Sequence, residues 1–150
     1  MNITIRRITA DETRPLRRLV LRPDKPAKEL VYPGDDAPEA AHFGVTLDDE
    51  VVGIATIYRE PMPDDEATWR ASKSWRLRGM ATAKKARRIG LGGKILTACI
   101  EHVRTNGDVL LWCNARLVAV EFYQAHGFQT RGELFDIPPI GMHYVMWWEV

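Results

Sequence analysis

The sequence lacks long apolar runs and has little cysteine. No apolar stretch approaches the roughly 18 residues that a membrane-spanning helix needs. The first twelve residues, MNITIRRITADE, lack the apolar core of a signal peptide. The two cysteines, Cys99 and Cys113, have no partner at the spacing of a metal or redox site, so we expect buried free thiols rather than a disulfide. A cytoplasmic protein without a metal ion is therefore expected.

Acidic residues are missing from one long segment. Between Ala67 and Ile100 there is no Asp or Glu, yet nine of the chain's 21 basic residues lie there, so the remaining 12 bases face 20 acids. A basic segment inside an otherwise acidic chain predicts a local anion site. A solvated basic face and a nucleic-acid surface are the alternatives that charge alone leaves open.

The length and composition predict one domain over residues 1–150. Of the 150 residues, 45% are hydrophobic and 27% charged, which is enough for a core and typical of a globular protein. Apolar periodicity predicts the order βαβββαβαββ, a mixed α/β sheet with helices on both faces and one strand–helix–strand crossover at its centre. The expected strands are 2–8, 42–47, 51–58, 75–82, 109–113, 128–134 and 141–149, and the expected helices are 9–21, 90–105 and 117–125.

Two details of the first half of the chain follow from local patterns. In the first helix, Leu16, Leu19 and Val20 are expected on the face that packs against the core. Four prolines and five acids then predict a loop over Arg22–Ala41. A short helix is expected inside that loop, near Ala27–Leu30.

The sharpest chemical signal is the segment RRIGLGGK, Arg87–Lys94, which opens the helix 90–105. A helix start has about four N–H groups without an internal partner, and its dipole favours negative charge. Glycines let a phosphate approach those N–H groups, and Arg87 and Arg88 add positive charge. A Walker loop is excluded because Arg88 and Ile95 stand where it needs Gly and Ser or Thr, and Ile95 also replaces the last Gly of a dinucleotide fingerprint. The segment predicts a diphosphate-binding turn, with glycine packing at a strand–helix turn as the alternative.

Two segments together resemble a known family. Arg87–Gly92 resembles the Q/R-x-x-G-x-G/A pyrophosphate loop of the GNAT acetyltransferases. Downstream, Asn114–Phe128, with the sequence NARLVAVEFYQAHGF, resembles the family's segment of Asn, Ala, Phe-Tyr and Gly-Phe. The likeness extends over Trp75–Trp147. It departs from the family at Arg88, where many relatives have Gly.

The resemblance implies acetyl-CoA as the co-substrate and a role for each matching position. In the family, one splayed strand pairs with the pantetheine arm and polarises the thioester carbonyl, and the glycine turn holds the pyrophosphate. A polar residue on the following strand contacts the cofactor, and a tyrosine near the thioester sulfur acts as general acid. In this chain those positions are, in order, Met80, Ala81 and Thr82; Arg87, Arg88, Ile89, Gly90, Leu91, Gly92 and Gly93; Asn114; and Tyr123.

The general base is not fixed by the resemblance. Relatives often have a glutamate on the strand before the glycine turn, but Trp75–Arg78 occupy that strand here and include no acid. Glu60, His143 and His42 are candidates, and a water relay is an equal alternative.

Three connections are expected to select the acceptor, because loops around a sheet commonly carry specificity. They are Arg22–Ala41, Glu60–Ala67 and Phe135–Ile140. Their acids are candidates for attracting a cationic amine, with ordinary solvated loop carboxylates as the alternative. The acids in question are Asp35, Asp36, Asp64, Asp65 and Glu66.

The sequence thus predicts an N-acetyltransferase. The expected reaction transfers the acetyl group of acetyl-CoA to a primary amine of a small molecule or peptide, by direct attack in a ternary complex. A non-catalytic acyl-CoA sensor on the same scaffold is the alternative. No nucleic-acid or membrane partner is expected, and pairing of two copies through the last strands is left open.

Overall fold

A computed structural model describes residues 2–150. The order of its main elements matches the predicted βαβββαβαββ, so the mixed α/β fold is confirmed. The strands are β1 (Ile3–Ile8), β2 (Ala41–Leu47), β3 (Glu50–Arg59), β4 (Ser74–Thr82), β5 (Leu110–Arg116), β6 (Gln129–Ile137) and β7 (Gly141–Glu149). The α-helices are α1 (Ala10–Leu16), α2 (Leu91–Thr105) and α3 (Val120–Ala125). A π-helical turn covers Arg17–Leu21, and 3₁₀ turns cover Ala27–Glu29, Ala71–Lys73, Lys84–Ala86 and Leu117–Ala119.

The chain forms two compact units. The first contains the residues up to Arg59 together with Leu77–His102, and the second contains Glu60–Arg76 and Val103–Val150. The expectation of a single domain stays a prediction. In the part of the chain that the structure describes, no helix is both long and apolar enough to cross a membrane.

The first unit is built on antiparallel strands in the order β1-β2-β3, followed by the end of β4. The β2–β3 hairpin closes on Asp48 and Asp49, whose φ angles of 49° and 72° are those of a two-residue type I′ turn. Helix α2 packs closely on β3, because a Cβ added at Gly53 would lie 2.7 Å from Cδ1 of Ile95. The backbone of Ala83, just after β4, donates to the carbonyl of Val52 on β3 at 2.7 Å.

Helix α1 starts as expected but ends early. Thr9 and Glu12 form a reciprocal capping box at its start. Pro15 lies inside the last turn, and the chain then continues as a π-helical turn in which the N–H of Arg22 donates to the carbonyl of Arg17 at 2.9 Å. The wider turn changes the face that each later residue presents.

The expectation for Leu19 is therefore wrong. Its side chain is 67% exposed, whereas Arg17, two residues earlier, is fully buried. A period of 3.6 residues no longer applies once the turn widens. Leu16 does pack in the core as expected.

The second unit contains the start of β4 and the order β4-β5-β7-β6. β4 and β5 are parallel, from Ser74 opposite Leu110 to Arg76 opposite Trp112. This parallel pair, joined through α2, is the predicted central crossover. β7 runs antiparallel to both β5 and β6.

Strand β6 is longer than expected. It extends to Ile137, so the predicted connection Phe135–Ile140 is reduced to Pro138–Ile140. The predicted end at Leu134 was wrong because the ladder with β7 resumes at Phe135, opposite His143, after an irregularity that begins at Arg131.

Candidate active site

The glycine segment lies in the first unit, between the 3₁₀ turn Lys84–Ala86 and α2. Two of its residues have left-handed backbone, Arg88 with φ of 68° and Gly90 with φ of 80°. A Cβ at Gly90 would have no heavy atom within 4 Å, so the space beside this backbone is unfilled by the described residues. The Arg88 side chain is exposed.

The N–H groups of this turn have no acceptor among residues 2–150. The first helical hydrogen bond of α2 runs from the N–H of Lys94 to the carbonyl of Gly90, at 3.3 Å. Within residues 2–150, none of the N–H groups from Arg88 to Gly93 donates to another backbone or side-chain group. Six consecutive N–H donors beside an unfilled space are what an anion at a helix start requires.

The turn is tied to the end of β4. The Nε of Arg87 donates to the carbonyl of Thr82 at 3.1 Å. Ala81 is buried, while Met80 and Thr82 are partly exposed. The ladder that β4 forms with β5 ends at Arg76, and β4 continues to Thr82.

In the second unit, Asn114 has a buried polar atom without a partner. Asn114 lies on β5 opposite Val145 of β7, so its strand position is fixed by the ladder. Its side-chain oxygen is buried and accepts no hydrogen bond from the described residues. This oxygen is therefore able to accept a further hydrogen bond.

Tyr123 lies on α3 in the second unit and is only 7% exposed. Its ring packs at 5.3 Å from the ring of Phe128. A side-chain hydrogen bond joins it to Cys113 on β5. Burial raises the pKa of the Cys113 thiol to about 12, and the weaker effects of Tyr123 and Arg76 act in the opposite direction. Cys113 is therefore a neutral thiol at pH 7.

Both cysteines are free and buried, as expected. Burial raises the pKa of Cys99 on α2 to about 12 as well. Thiols in this state are poor nucleophiles, so neither cysteine has the character of a covalent catalyst.

Comparisons with known proteins agree on one family. Residues 5–128 match the model described as the acetyltransferase (GNAT) family. The chain is 30% identical over 145 residues to an uncharacterized N-acetyltransferase, YitI, of Bacillus subtilis strain 168, covering 97% of this chain and 95% of that protein. The chain belongs to the GNAT acetyltransferase family.

Solved structures share the GNAT fold. The structure of Ard1 from Thermoplasma volcanium matches with a TM-score of 0.77 and 18% identity, covering 100% of this chain and 99% of that one. An aminoglycoside 6'-N-acetyltransferase complexed with coenzyme A matches with a TM-score of 0.73 and 14% identity, covering 97% of this chain and 96% of that one. As a GNAT protein, the chain is an acyltransferase that uses acyl-CoA.

The three candidate bases are all engaged within the protein. His42 is bonded at both ring nitrogens, to Thr56 Oγ1 at 2.7 Å and to the carbonyl of Asp35 at 3.1 Å. The carboxylate of Glu60 pairs with Arg76 at 3.0 Å. The Nδ1 of His143 lies 2.7 Å from the carbonyl of Gly141. His42 has no ring nitrogen left for a substrate proton, whereas Nε2 of His143 has no hydrogen-bond partner among residues 2–150.

Two of the loop acids do not act as solvent-facing charges. Asp35 is 4% exposed and pairs with Arg17, and Asp65 is 1% exposed and pairs with Arg70 at 3.0 Å. Their charges are already compensated, so the expectation that they attract a cationic amine is wrong for both. Asp36, Asp64 and Glu66 are exposed.

Sequence reasoning missed the contacts of Tyr32. This residue lies in the 22–41 loop, with its ring centroid 3.8 Å from the guanidinium carbon of Arg17 and 4.3 Å from that of Arg78. A Cβ at Gly79, which has φ of 65°, would lie 2.7 Å from the Tyr32 ring. The prolines and acids of Arg22–Ala41 predicted a loop, but no local pattern indicates which strand a loop residue touches.

Proposed function

We propose that this protein transfers the acetyl group of acetyl-CoA to a primary amine of a small molecule or peptide, by direct attack in a ternary complex. The observation that carries the proposal is the row of N–H groups from Arg88 to Gly93 without an acceptor. A diphosphate is the part of coenzyme A that needs such a row, since it carries concentrated negative charge and many acceptor oxygens.

The residues present fit the rest of the co-substrate. The space beside Gly90 lets phosphate oxygens approach the backbone, and the exposed Arg88 supplies positive charge. The end of β4, at Met80, Ala81 and Thr82, extends beyond the ladder with β5, which favours the proposed pairing with the pantetheine arm. The side-chain oxygen of Asn114, which accepts no hydrogen bond from the described residues, would accept one from the co-substrate.

Tyr123 is proposed to donate its hydroxyl proton to the departing sulfur. The bound co-substrate supplies the activated acetyl group. A thiol has a pKa of about 8.5, below the value of about 10 for tyrosine, so the proton transfer assists departure without being indispensable. The buried position of Tyr123 limits the movement of its hydroxyl.

The acceptor must lose a proton before it attacks. An alkyl amine with a pKa near 10.4 is neutral at pH 7 only at a cost of roughly 4 to 5 kcal/mol. His42 has both nitrogens engaged and Glu60 is paired with Arg76, so we propose a water relay as the route for this proton, with Nε2 of His143 as the alternative acceptor. Turnover should then rise with pH until the amine is neutral.

We also place the protein in the cytoplasm. Two buried free thiols, Cys99 and Cys113, are typical of a reducing compartment.

The test is a screen for release of coenzyme A from acetyl-CoA, with primary amines of different charge and size at several pH values. The proposal expects at least one amine to accelerate release far above hydrolysis, with formation of the N-acetyl product detected by mass spectrometry. Tight binding of acetyl-CoA without release for any amine would contradict catalysis and support the acyl-CoA sensor.

A further inference from the structure

Nine basic residues lie between Ala67 and Ile100. One of them has neither a carboxylate or carbonyl partner among residues 2–150 nor a fully exposed side chain. Arg70, Arg76 and Lys85 pair with carboxylates, and Arg87 donates to the carbonyl of Thr82. Lys73, Lys84, Arg88 and Lys94 are exposed to water. The remaining base, Arg78 on β4, is partly buried.

Arg78 has no carboxylate within ion-pairing distance among residues 2–150. Its described contact is with the ring of Tyr32, at 4.3 Å from the centroid. None of its side-chain nitrogens is among the buried atoms without a partner, so all of them remain accessible. A partly desolvated guanidinium without an anion is unusual, because burying a charge is costly unless the charge is compensated.

The surroundings hold this guanidinium in place and add no negative charge. The same Tyr32 ring contacts the guanidinium of Arg17 at 3.8 Å, and the charge of Arg17 is neutralised by Asp35. Tyr32 in turn rests against the backbone of Gly79. Stacking on an aromatic ring orients the planar fork of an arginine, and an oriented fork is suited to a planar carboxylate.

Arg78 lies on β4 two residues before Met80, which is the first of the residues proposed to pair with the pantetheine arm. We propose that Arg78 binds a carboxylate of the acceptor, and that the acceptor is therefore an amine that also carries a carboxylate, such as an amino acid. This inference rests on the proposed acetyl transfer and names its substrate class. The loop acids led us to expect recognition of a positive charge on the acceptor, whereas Arg78 would recognise a negative one. Two of those acids are already neutralised by arginines.

The test compares matched acceptors in which only the carboxylate changes. Several amino acids, their carboxamides and the corresponding decarboxylated amines are assayed with the wild-type enzyme and with Arg78→Gln, Arg78→Lys and the control Arg18→Gln. Arg18 is an exposed arginine of the same unit, so its replacement removes one positive charge without touching Tyr32.

The wild type and Arg18→Gln are expected to prefer the acids by about ten- to hundredfold in kcat/KM, the range for one charge-assisted contact. Arg78→Gln should lose this preference mainly through KM, with an unchanged Kd for coenzyme A. Arg78→Lys should retain only part of it, since a lysine lacks the fork. Equal use of acids and amides by the wild type, or an unchanged preference in Arg78→Gln, would overturn the assignment.

A second readout separates this inference from the proposed activity. N-acetyl amino acids and their amides are titrated calorimetrically into the coenzyme A-loaded wild type and Arg78→Gln. If no amine is acetylated, the proposed function fails, yet tighter binding of the acids by the wild type alone would still support Arg78 as the carboxylate site. Equal binding by both proteins would overturn it.

Discussion

Arg17 and Asp35 form a bidentate ion pair in which both side chains are fully buried, with N···O distances of 2.7 and 2.8 Å. Arg17 also donates to the carbonyl of Leu30 at 2.8 Å and to Oγ1 of Thr56 at 2.9 Å. Asp35 accepts the N–H of Tyr32 at 3.0 Å. The pair therefore fastens the 22–41 loop to the sheet and fixes the position of Tyr32.

Removing one partner of this pair should destabilise the fold severely. Asp35→Ala leaves the Arg17 charge buried without compensation, and we expect a loss of about 3–5 kcal/mol in the free energy of unfolding, measured with urea. The neighbouring exposed Asp36→Ala is the control and should change it by less than about 0.5 kcal/mol. A loss below about 1 kcal/mol for Asp35→Ala would show that the pair is not holding the loop.

The same pair predicts a pH dependence. Burial raises the pKa of Asp35, but the hydrogen bond from Arg17, the N–H of Tyr32 and the Arg17 charge together hold it below its usual value. The folded protein then binds the proton less readily than the unfolded chain, so this stabilisation is present at neutral pH and is lost as the pH falls below about 4. The difference in unfolding free energy between the wild type and Asp35→Asn should shrink over that range. A difference that stays constant down to pH 2.5 would contradict it.

A feature of the fold could be predicted from the sequence when it depends on residues that are close together in the chain. The turn at Arg87–Gly93 was predicted because short turns are specified by the residues within them. The ion pair of Arg17 with Asp35 was not, since its partners are 18 residues apart and the π-helical turn at Arg17–Leu21 alters the helical period.

The same distinction between local and long-range features applies to the candidate site. The position of the glycine turn could be predicted because the turn needs left-handed backbone, which Gly90 supplies, while its binding of a diphosphate stays a prediction. The roles of Arg78 and Tyr32 could not, because they depend on where a long loop meets β4. The general base was not predictable from the sequence, because it depends on contacts between distant residues: His42 and Glu60 are held by other side chains, and His143 through one ring nitrogen only.

The left-handed backbone at Arg88 predicts a stabilising substitution. Arg88 has φ of 68°, which costs a residue with a Cβ roughly 1 kcal/mol and costs glycine little. We expect Arg88→Gly to raise the free energy of unfolding by about 0.5–1 kcal/mol. Arg87→Gly is the control, because φ of −75° there gives glycine no such advantage and the substitution should destabilise. A less stable Arg88→Gly protein would mean that the turn is not held in this conformation.

Tyr123 should affect turnover more than binding. With an acceptor found in the amine screen, Tyr123→Phe is expected to lower kcat by about ten- to hundredfold, the contribution of one general acid, and to leave the Kd for coenzyme A unchanged. Tyr144→Phe on β7 is the matched control and should keep wild-type turnover. An unchanged kcat in Tyr123→Phe would remove this hydroxyl from the mechanism.

The most direct test of the account is calorimetric titration of coenzyme A into the wild type, Gly92→Trp and Glu101→Trp. Gly92 lies in the first turn of α2, where an indole would cover the N–H groups between Arg88 and Gly93. Glu101 is exposed on the same helix, about 13 Å further along at 1.5 Å per residue. We expect Gly92→Trp to lose coenzyme A binding by at least about a hundredfold and Glu101→Trp to bind like the wild type. Equal affinity in all three folded proteins would contradict it.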